Sequence, residues 1–224
     1  MIIFTDGSTF NNGKKNAIGG IGIYIPKLDN QDECKISYSL LSFKQLKVTN
    51  QISELIATII AIEKAISITH DTIYIYTDSK YVIDCATTWS KSWINNKWKK
   101  SNGKIIDNLW LIYRLIQLTK KYPVIFKHIK AHQDQPNNVN NELYKLWLGN
   151  KIADELAVEA SKSAIELVNS VKILNWETFA LFIINGMNKD IKINIPYHND
   201  ITTFYKLLLY NGQNLEDNIE TDIL

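Results

Sequence analysis

The spacing of apolar positions along the chain changes period several times, and each change predicts an element. Ile2-Ile3-Phe4-Thr5 is an unbroken apolar run and predicts a short buried strand. Residues 19–25 (Gly-Gly-Ile-Gly-Ile-Tyr-Ile) predict a second strand, which Pro26 ends, and Asn11-Asn12-Gly13 supplies turn chemistry between the two. Residues 34–42 predict a third, completing an antiparallel meander. Thr49 then reads as a helix cap, followed by an apolar stripe at Ile52, Leu55, Ile56, Ile59, Ile60 and Ile66. Ile73-Tyr74-Ile75-Tyr76 predicts a fourth strand and residues 123–129 a fifth. Helical spacing recurs over 79–88, 107–120 and 151–164. Three strands, helix, strand, helices, strand, helix make an α/β domain with a five-stranded mixed sheet flanked by helices. The helical connections suit parallel crossovers, which would set the first and fourth strands side by side at the sheet centre.

Two segments break this pattern. Residues 133–149 read as a polar loop ending in a short apolar piece. Residues 165–224 read as an acidic extension with helical spacing near 175–185 and 199–210. Residues 1–164 carry 21 basic against 15 acidic side chains, a balance of +6, while residues 165–224 carry 4 against 8, a balance of −4. The basic part suits a polyanionic partner. Hydrophobic content of 46% is enough for a real core. Cys34 and Cys85 have no metal-ligand spacing and read as reduced thiols in a reducing compartment. Met1-Ile2-Ile3-Phe4-Thr5-Asp6 lacks a basic leader, so the protein is expected to be intracellular and not secreted. No run of 18 uncharged apolar residues exists, so no membrane span is expected.

The chemistry resides in four acids, Asp6, Glu54, Asp78 and Asp154. Taken singly, each has an ordinary reading. Asp6-Gly7 is a turn dipeptide, Asp78 a helix cap, and Glu54 and Asp154 acids near helix starts that favour the dipole. Taken together in the expected topology, Asp6 and Asp78 end neighbouring strands, and Glu54 and Asp154 approach from helices. Four gathered carboxylates repel one another unless cations lie between them. Hard oxygen ligands suit Mg²⁺ or Mn²⁺, and paired divalent ions suit phosphodiester hydrolysis.

In these phrases the chain resembles a type 1 ribonuclease H. The resemblance runs from Met1 to about Ser163, on Phe4-Thr-Asp6-Gly-Ser8, Thr49-Asn-Gln-Ile-Ser-Glu54-Leu55, Tyr76-Thr-Asp78-Ser-Lys-Tyr-Val82, Lys130-Ala-His132 and Gly149-Asn-Lys-Ile-Ala-Asp154-Glu-Leu-Ala157. It implies a ribonuclease H-like fold over 1–164 and two-metal hydrolysis of the RNA strand of RNA–DNA hybrids, with 5′-phosphate and 3′-hydroxyl ends. It also implies that Asp6 bridges two Mg²⁺ ions (Mn²⁺ as a substitute), that Glu54 and Asp78 complete one site, and that Asp154 completes the other. His132 matches the family's mobile-loop histidine, which assists proton transfer or product release. Twenty-two positions separate His132 from Asp154, which marks 133–149 as an insertion in that loop.

The resemblance further implies RNA-strand contacts from Gly7, Ser8, Asn50, Gln51 and Lys80. Residues 89–104 carry five lysines between 91 and 104 and no acid, interleaved with Trp89, Trp93 and Trp98. Such a stretch is either a solvated helix face or a nucleic-acid groove. It resembles the family's basic protrusion, implying DNA-strand contacts from Trp89, Trp93, Lys97, Trp98, Lys99 and Lys100. Lys47, Thr49 and Asn108 resemble its phosphate pocket. A monomer is expected, with 165–224 open to a protein partner and no separate hybrid-binding module before Met1. Three other readings compete: a silent hybrid binder, an actin-like ATPase, and a resolvase- or integrase-like nuclease. The presence of all four acids disfavours the first. The lack of a second Asp-x-Gly hairpin disfavours the second. The pairing of Asn50-Gln51 with the lysine-tryptophan stretch favours a hybrid over duplex DNA, against the third.

Overall fold

The computed structural model describes residues 1–14, 17–28, 32–41 and 48–166. The elements are β1 (Ile2–Phe10), β2 (Ile18–Ile25), β3 (Cys34–Leu41), α1 (Asn50–Ile66), β4 (Ile73–Thr77), α2 (Lys80–Thr87), α3 (Trp89–Asn95), α4 (Leu109–Lys121), β5 (Val124–His128) and α5 (Glu142–Glu166). The five strands form one sheet in the order β3-β2-β1-β4-β5. β1 pairs antiparallel with β2 and parallel with β4, so β1 and β4 are central neighbours. β4 and β5 are also parallel, joined by a crossover through α2, α3 and α4. The helices expected near 175–185 and 199–210 fall outside the described residues.

Two of the differences from the sequence reading bear on the site. β1 continues through Asp6-Gly7 to Phe10, paired with β2 as Asp6↔Gly22 and Ser8↔Gly20. Strand pairing here overrides the turn chemistry of Asp-Gly. α5 begins at Glu142, nine residues before the expected start, so the second part of the 133–149 segment is helix. Leu143, Leu146, Trp147 and Asn150 follow helical spacing, but four asparagines and a proline upstream hide the helix start in a polar stretch. Asp154 is therefore the thirteenth residue of its helix, too deep for a helix-start role.

Helices cover both faces of the sheet. Strand pleating sends alternate residues to opposite sides. Gly19 faces Ser53 of α1 while Gly20 faces the Ala157 carbonyl of α5. The larger core lies on the α1 side, where Leu55, Ile56, Ile59 and Ile62 pack with Ile3, Ile75, Leu111 and Leu115. Thr49 caps α1 as expected, its hydroxyl accepting from the Ile52 N–H at 3.3 Å. A smaller core beneath α5 joins Phe4, Tyr24, Ile129 and Ala153. Arg114 of α4 is 1% exposed and ion-pairs with Glu63 of α1, tying the two helices together.

Candidate metal centre and nucleic-acid interface

Asp6 stands mid-strand on the α5 side of β1, between Phe4 and Ser8. Its Oδ1 accepts from the Gly7 N–H at 2.8 Å, which fixes the carboxylate. Asp78 is the first residue beyond β4. The cap of α2 falls to Ser79, whose hydroxyl accepts from the Val82 N–H at 3.4 Å, so the Asp78 carboxylate is not spent on capping. Glu54 is reached through close packing of backbones. A β-carbon on Gly7 would lie 2.4 Å from the Glu54 nitrogen, so only glycine there lets α1 approach this far. A β-carbon on Gly22 would lie 2.0 Å from the Ala153 carbonyl oxygen, and that approach carries Asp154 to the sheet.

Asp6, Glu54 and Asp78 each offer a carboxylate oxygen, and these oxygens all lie within 4.8 Å of one another. Asp154 joins them electrostatically: its charge is felt by both Asp6 and Asp78. Burial pushes the Asp6 carboxyl up to about 8, and the Asp78 and Asp154 carboxylates add to the shift. Burial first, then Asp6 and Asp78, hold Glu54 well above the usual carboxylate range. Burial also raises Asp78, with Asp154 adding to it, while His132 and His128 pull the other way.

These residues fit divalent cations. Glu54 is 5% exposed, and its Oε2 is buried without a hydrogen-bond partner. An acceptor in that state ordinarily costs about 1–3 kcal/mol or more. Hard cations want clustered carboxylate oxygens at short range. A cation among Asp6, Glu54 and Asp78 would satisfy the orphaned oxygen and relieve the mutual repulsion at once.

His132 is exposed, follows β5, and adopts a left-handed backbone with φ of 49°. It lines a cleft of about 240 Å³ together with Asp78, Asn150, Trp147 and Asp154. His128 was not among the expected site residues, yet it pairs with Thr77 in the β4–β5 register and so lies beside Asp78. The strand alternation of β5 held that signal. Asn12 was missed as well: its Oδ1 accepts from the Asn50 N–H at 3.3 Å and steadies the start of α1.

The expected substrate contacts divide into several groups. Asn50 and Gln51 are exposed at the first turn of α1, and Lys80 is exposed at the first turn of α2. Ser8 is half-buried, its hydroxyl 3.2 Å from that of Ser161. Gly7 is buried, its N–H is given to Asp6, and it admits α1 beside that carboxylate. Trp89 is exposed and joins a train of rings, 5.9 Å from Tyr81 and 5.5 Å from Trp93 between centroids. Trp93 is half-buried against the core.

Trp98 corrects the sequence reading. It is 3% exposed and packs edge-on against Tyr113 of α4 at 5.6 Å, so it anchors the basic segment from within and presents no face to a nucleic acid. Lys97 and Trp98 both adopt left-handed backbones, with φ of 51° and 61°. That double twist buries the indole while the flanking lysines stay outside. Lys97 is exposed, Lys99 half-exposed, and the Lys100 ammonium lies 2.7 Å from the Asp107 carboxylate. Asn108 has φ of 59° and donates to the Tyr81 hydroxyl at 3.3 Å. Lys47 lies outside the described residues.

Among the described residues no helix is long and apolar enough to cross a membrane. A mixed sheet with carboxylates gathered at its two central strands, beside a basic and aromatic segment, defines a nuclease domain. A family model described as RNase H matches residues 1–162, and the chain belongs to the ribonuclease H family. A ribonuclease H of Clostridium botulinum is 34% identical over 161 residues, covering 70% of this chain and 98% of that protein. A ribonuclease H of Schizosaccharomyces pombe is 35% identical over 138 residues, covering 62% of this chain but only 48% of that protein. The chain thus spans about half the length of the yeast relative and nearly all of the bacterial one. The solved structure of LC9-RNase H1 superposes with a TM-score of 0.55 at 24% identity over 72% of each chain, a likeness of fold.

Proposed function

We propose that residues 1–164 form a catalytic unit that hydrolyses the RNA strand of RNA–DNA hybrids with two divalent cations, Mg²⁺ or Mn²⁺. The products carry 5′-phosphate and 3′-hydroxyl ends. The observation that carries this reading is the set of Asp6, Glu54 and Asp78 oxygens within 4.8 Å, with the Glu54 Oε2 left unsatisfied by the protein. Bound there, the cations would supply an activated water and stabilise the departing 3′ oxygen. Asp6 from the middle of β1, Glu54 from α1, Asp78 beyond β4 and Asp154 from α5 would hold the cations between them. His132, which lines the same cleft, assists proton transfer or product release.

The substrate is read on two sides. Asn50, Gln51, Ser8 and Lys80 lie on the first turns of α1 and α2 and the adjoining end of β1, and they test the RNA strand for its 2′-hydroxyls. Trp89, Trp93, Lys97, Lys99 and Lys100 grip the DNA strand, with Thr49 and Asn108 taking one of its phosphates. Lysine neutralises phosphate as a point charge, and an indole packs on sugar or base. The protein works as a monomer inside the cell, and residues 165–224 are left for a protein partner.

The test is cleavage of a hybrid with each strand labelled in turn, in Mg²⁺ and in Mn²⁺, with the ends of the fragments identified. Cutting of the RNA strand alone is expected, with loss of cleavage but retained binding in Asp6→Asn. Cutting of the DNA strand, or normal turnover by Asp6→Asn, would overturn the proposal.

A further inference from the structure

His132 sits in a turn that is closed from both sides. The Gln133 side chain donates through Nε2 to the Lys130 carbonyl at 2.8 Å. The Gln133 carbonyl in turn accepts from the Trp147 indole Nε1 at 2.9 Å, across 14 positions of sequence. His132 lies between these two bonds with φ of 49°, a conformation few non-glycine residues adopt unless their surroundings hold them in it. Trp147 is itself braced. Lys151 places its ammonium 5.0 Å from the indole centroid, and the Tyr144 ring lies tilted against it at 5.5 Å between centroids.

Trp147, Lys151 and Asp154 are spaced four and then three residues apart, so they share one face of α5. All three line the cleft that His132 also lines. Trp147 belongs to the two helical turns that lengthen α5 ahead of Gly149. We infer that Trp147 is a positioning residue: through the Gln133 carbonyl it fixes the turn that presents His132, and because it rides on the same helix as Asp154 it indexes the histidine to the metal centre. The helical part of the 133–149 segment thereby ties the His132 turn to α5. This inference rests on the proposed role of His132 in hybrid cleavage.

The test uses Trp147→Phe in the full chain, which keeps the ring and removes the N–H donor. Losing one such hydrogen bond predicts a fall in kcat of about threefold to tenfold, with KM unchanged. In a His132→Ala background the same substitution should cost nothing further, because the residue it positions is gone. Backbone amide relaxation at His132 and Gln133 should show increased motion in Trp147→Phe. Equal losses in both backgrounds, no loss in the wild-type background, or unmoved amide relaxation would each overturn the assignment. Should His132→Ala leave cleavage untouched, the role of His132 fails by itself, and the amide measurement alone then decides whether Trp147 holds the turn.

Discussion

A β-carbon placed on Gly7 would come within 2.4 Å of the Glu54 nitrogen and 2.6 Å of the Ser53 carbonyl carbon. These neighbours are backbone atoms of a helix whose opposite side is buried, so they have nowhere to retreat. Gly7→Ala is therefore expected to push α1 off β1. Overpacking of this kind costs about 1–3 kcal/mol. The same displacement moves Glu54 away from Asp6 and Asp78, so activity should fall further than stability does. Urea unfolding and hybrid cleavage, measured on the same preparation, separate the two effects. Wild-type turnover in Gly7→Ala would show that this contact does not set the position of Glu54.

The pH dependence of stability follows from Asp6 and its neighbours. The folded chain holds the Asp6 proton up to about pH 8, whereas the ordinary value is 3.8. Glu54 and Asp78 are shifted in the same direction. A raised folded-state value means that the folded state binds protons which the unfolded chain releases. The stabilisation is fully present below the unfolded value and is lost as pH climbs through the folded one. In EDTA the melting temperature should therefore drop between roughly pH 4 and pH 8. Mg²⁺ should flatten or reverse that slope, because cations favour the ionised carboxylates. Asp6→Asn should melt higher than wild type in EDTA at the alkaline end and gain little from Mg²⁺. A pH-independent melting curve without cations would contradict the arrangement.

The four acids were legible in the sequence as candidates because they stand together in phrases the expected topology gathers, although each taken singly has an ordinary reading. The strand order was legible too, since helices must intervene between parallel strands. What was hidden depends on tertiary partners. Asp6-Gly7 carries turn chemistry, and only the pairing with Gly22 and Ile21 of β2 keeps it extended. The start of α5 lies beneath asparagines that favour loops, and its helix is secured by packing of later residues on β2 and β1. Trp98 stands among lysines that suggest a surface, yet two left-handed residues turn it inward. The extended Asp6-Gly7 and the inward Trp98 have no fixed period or spacing to betray them, and the helical spacing at the start of α5 is masked by its asparagines.

Asp107 and Lys100 make a separable test of the basic segment. Their side chains lie 2.7 Å apart, and the carboxylate is 76% exposed. An exposed pair contributes about 0–1 kcal/mol to stability, so breaking it should leave the fold intact. Asp107→Asn removes a negative charge beside the proposed phosphate-binding lysines, and hybrid affinity should rise at low salt. Replacing Lys97, Lys99 and Lys100 together by glutamine should do the opposite. Each lysine withdrawn from a phosphate makes the slope of log affinity against log salt shallower by about 0.9. Titrations at several salt concentrations read both changes, and an unchanged slope in the triple variant would remove this segment from the interface.

Trp98 separates anchoring from contact within the same segment. If the indole met nucleic acid, Trp98→Phe would weaken binding with little effect on stability. Its 3% exposure and its edge-on packing against Tyr113 argue the reverse. Trp98→Ala leaves a large cavity between the basic segment and α4 and should cost about 3–5 kcal/mol. Trp98→Phe retains an aromatic ring against Tyr113, so most of the stability and the hybrid affinity should survive. Trp89, by contrast, is exposed as the middle ring of its train, between Tyr81 and Trp93, so Trp89→Ala should weaken hybrid binding while shifting the unfolding midpoint only slightly. Comparing urea midpoints with hybrid affinities across Trp89→Ala, Trp98→Ala and Trp98→Phe distinguishes the two roles. A Trp98→Phe variant that folds normally but binds hybrids as poorly as Trp89→Ala would return the buried indole to the interface.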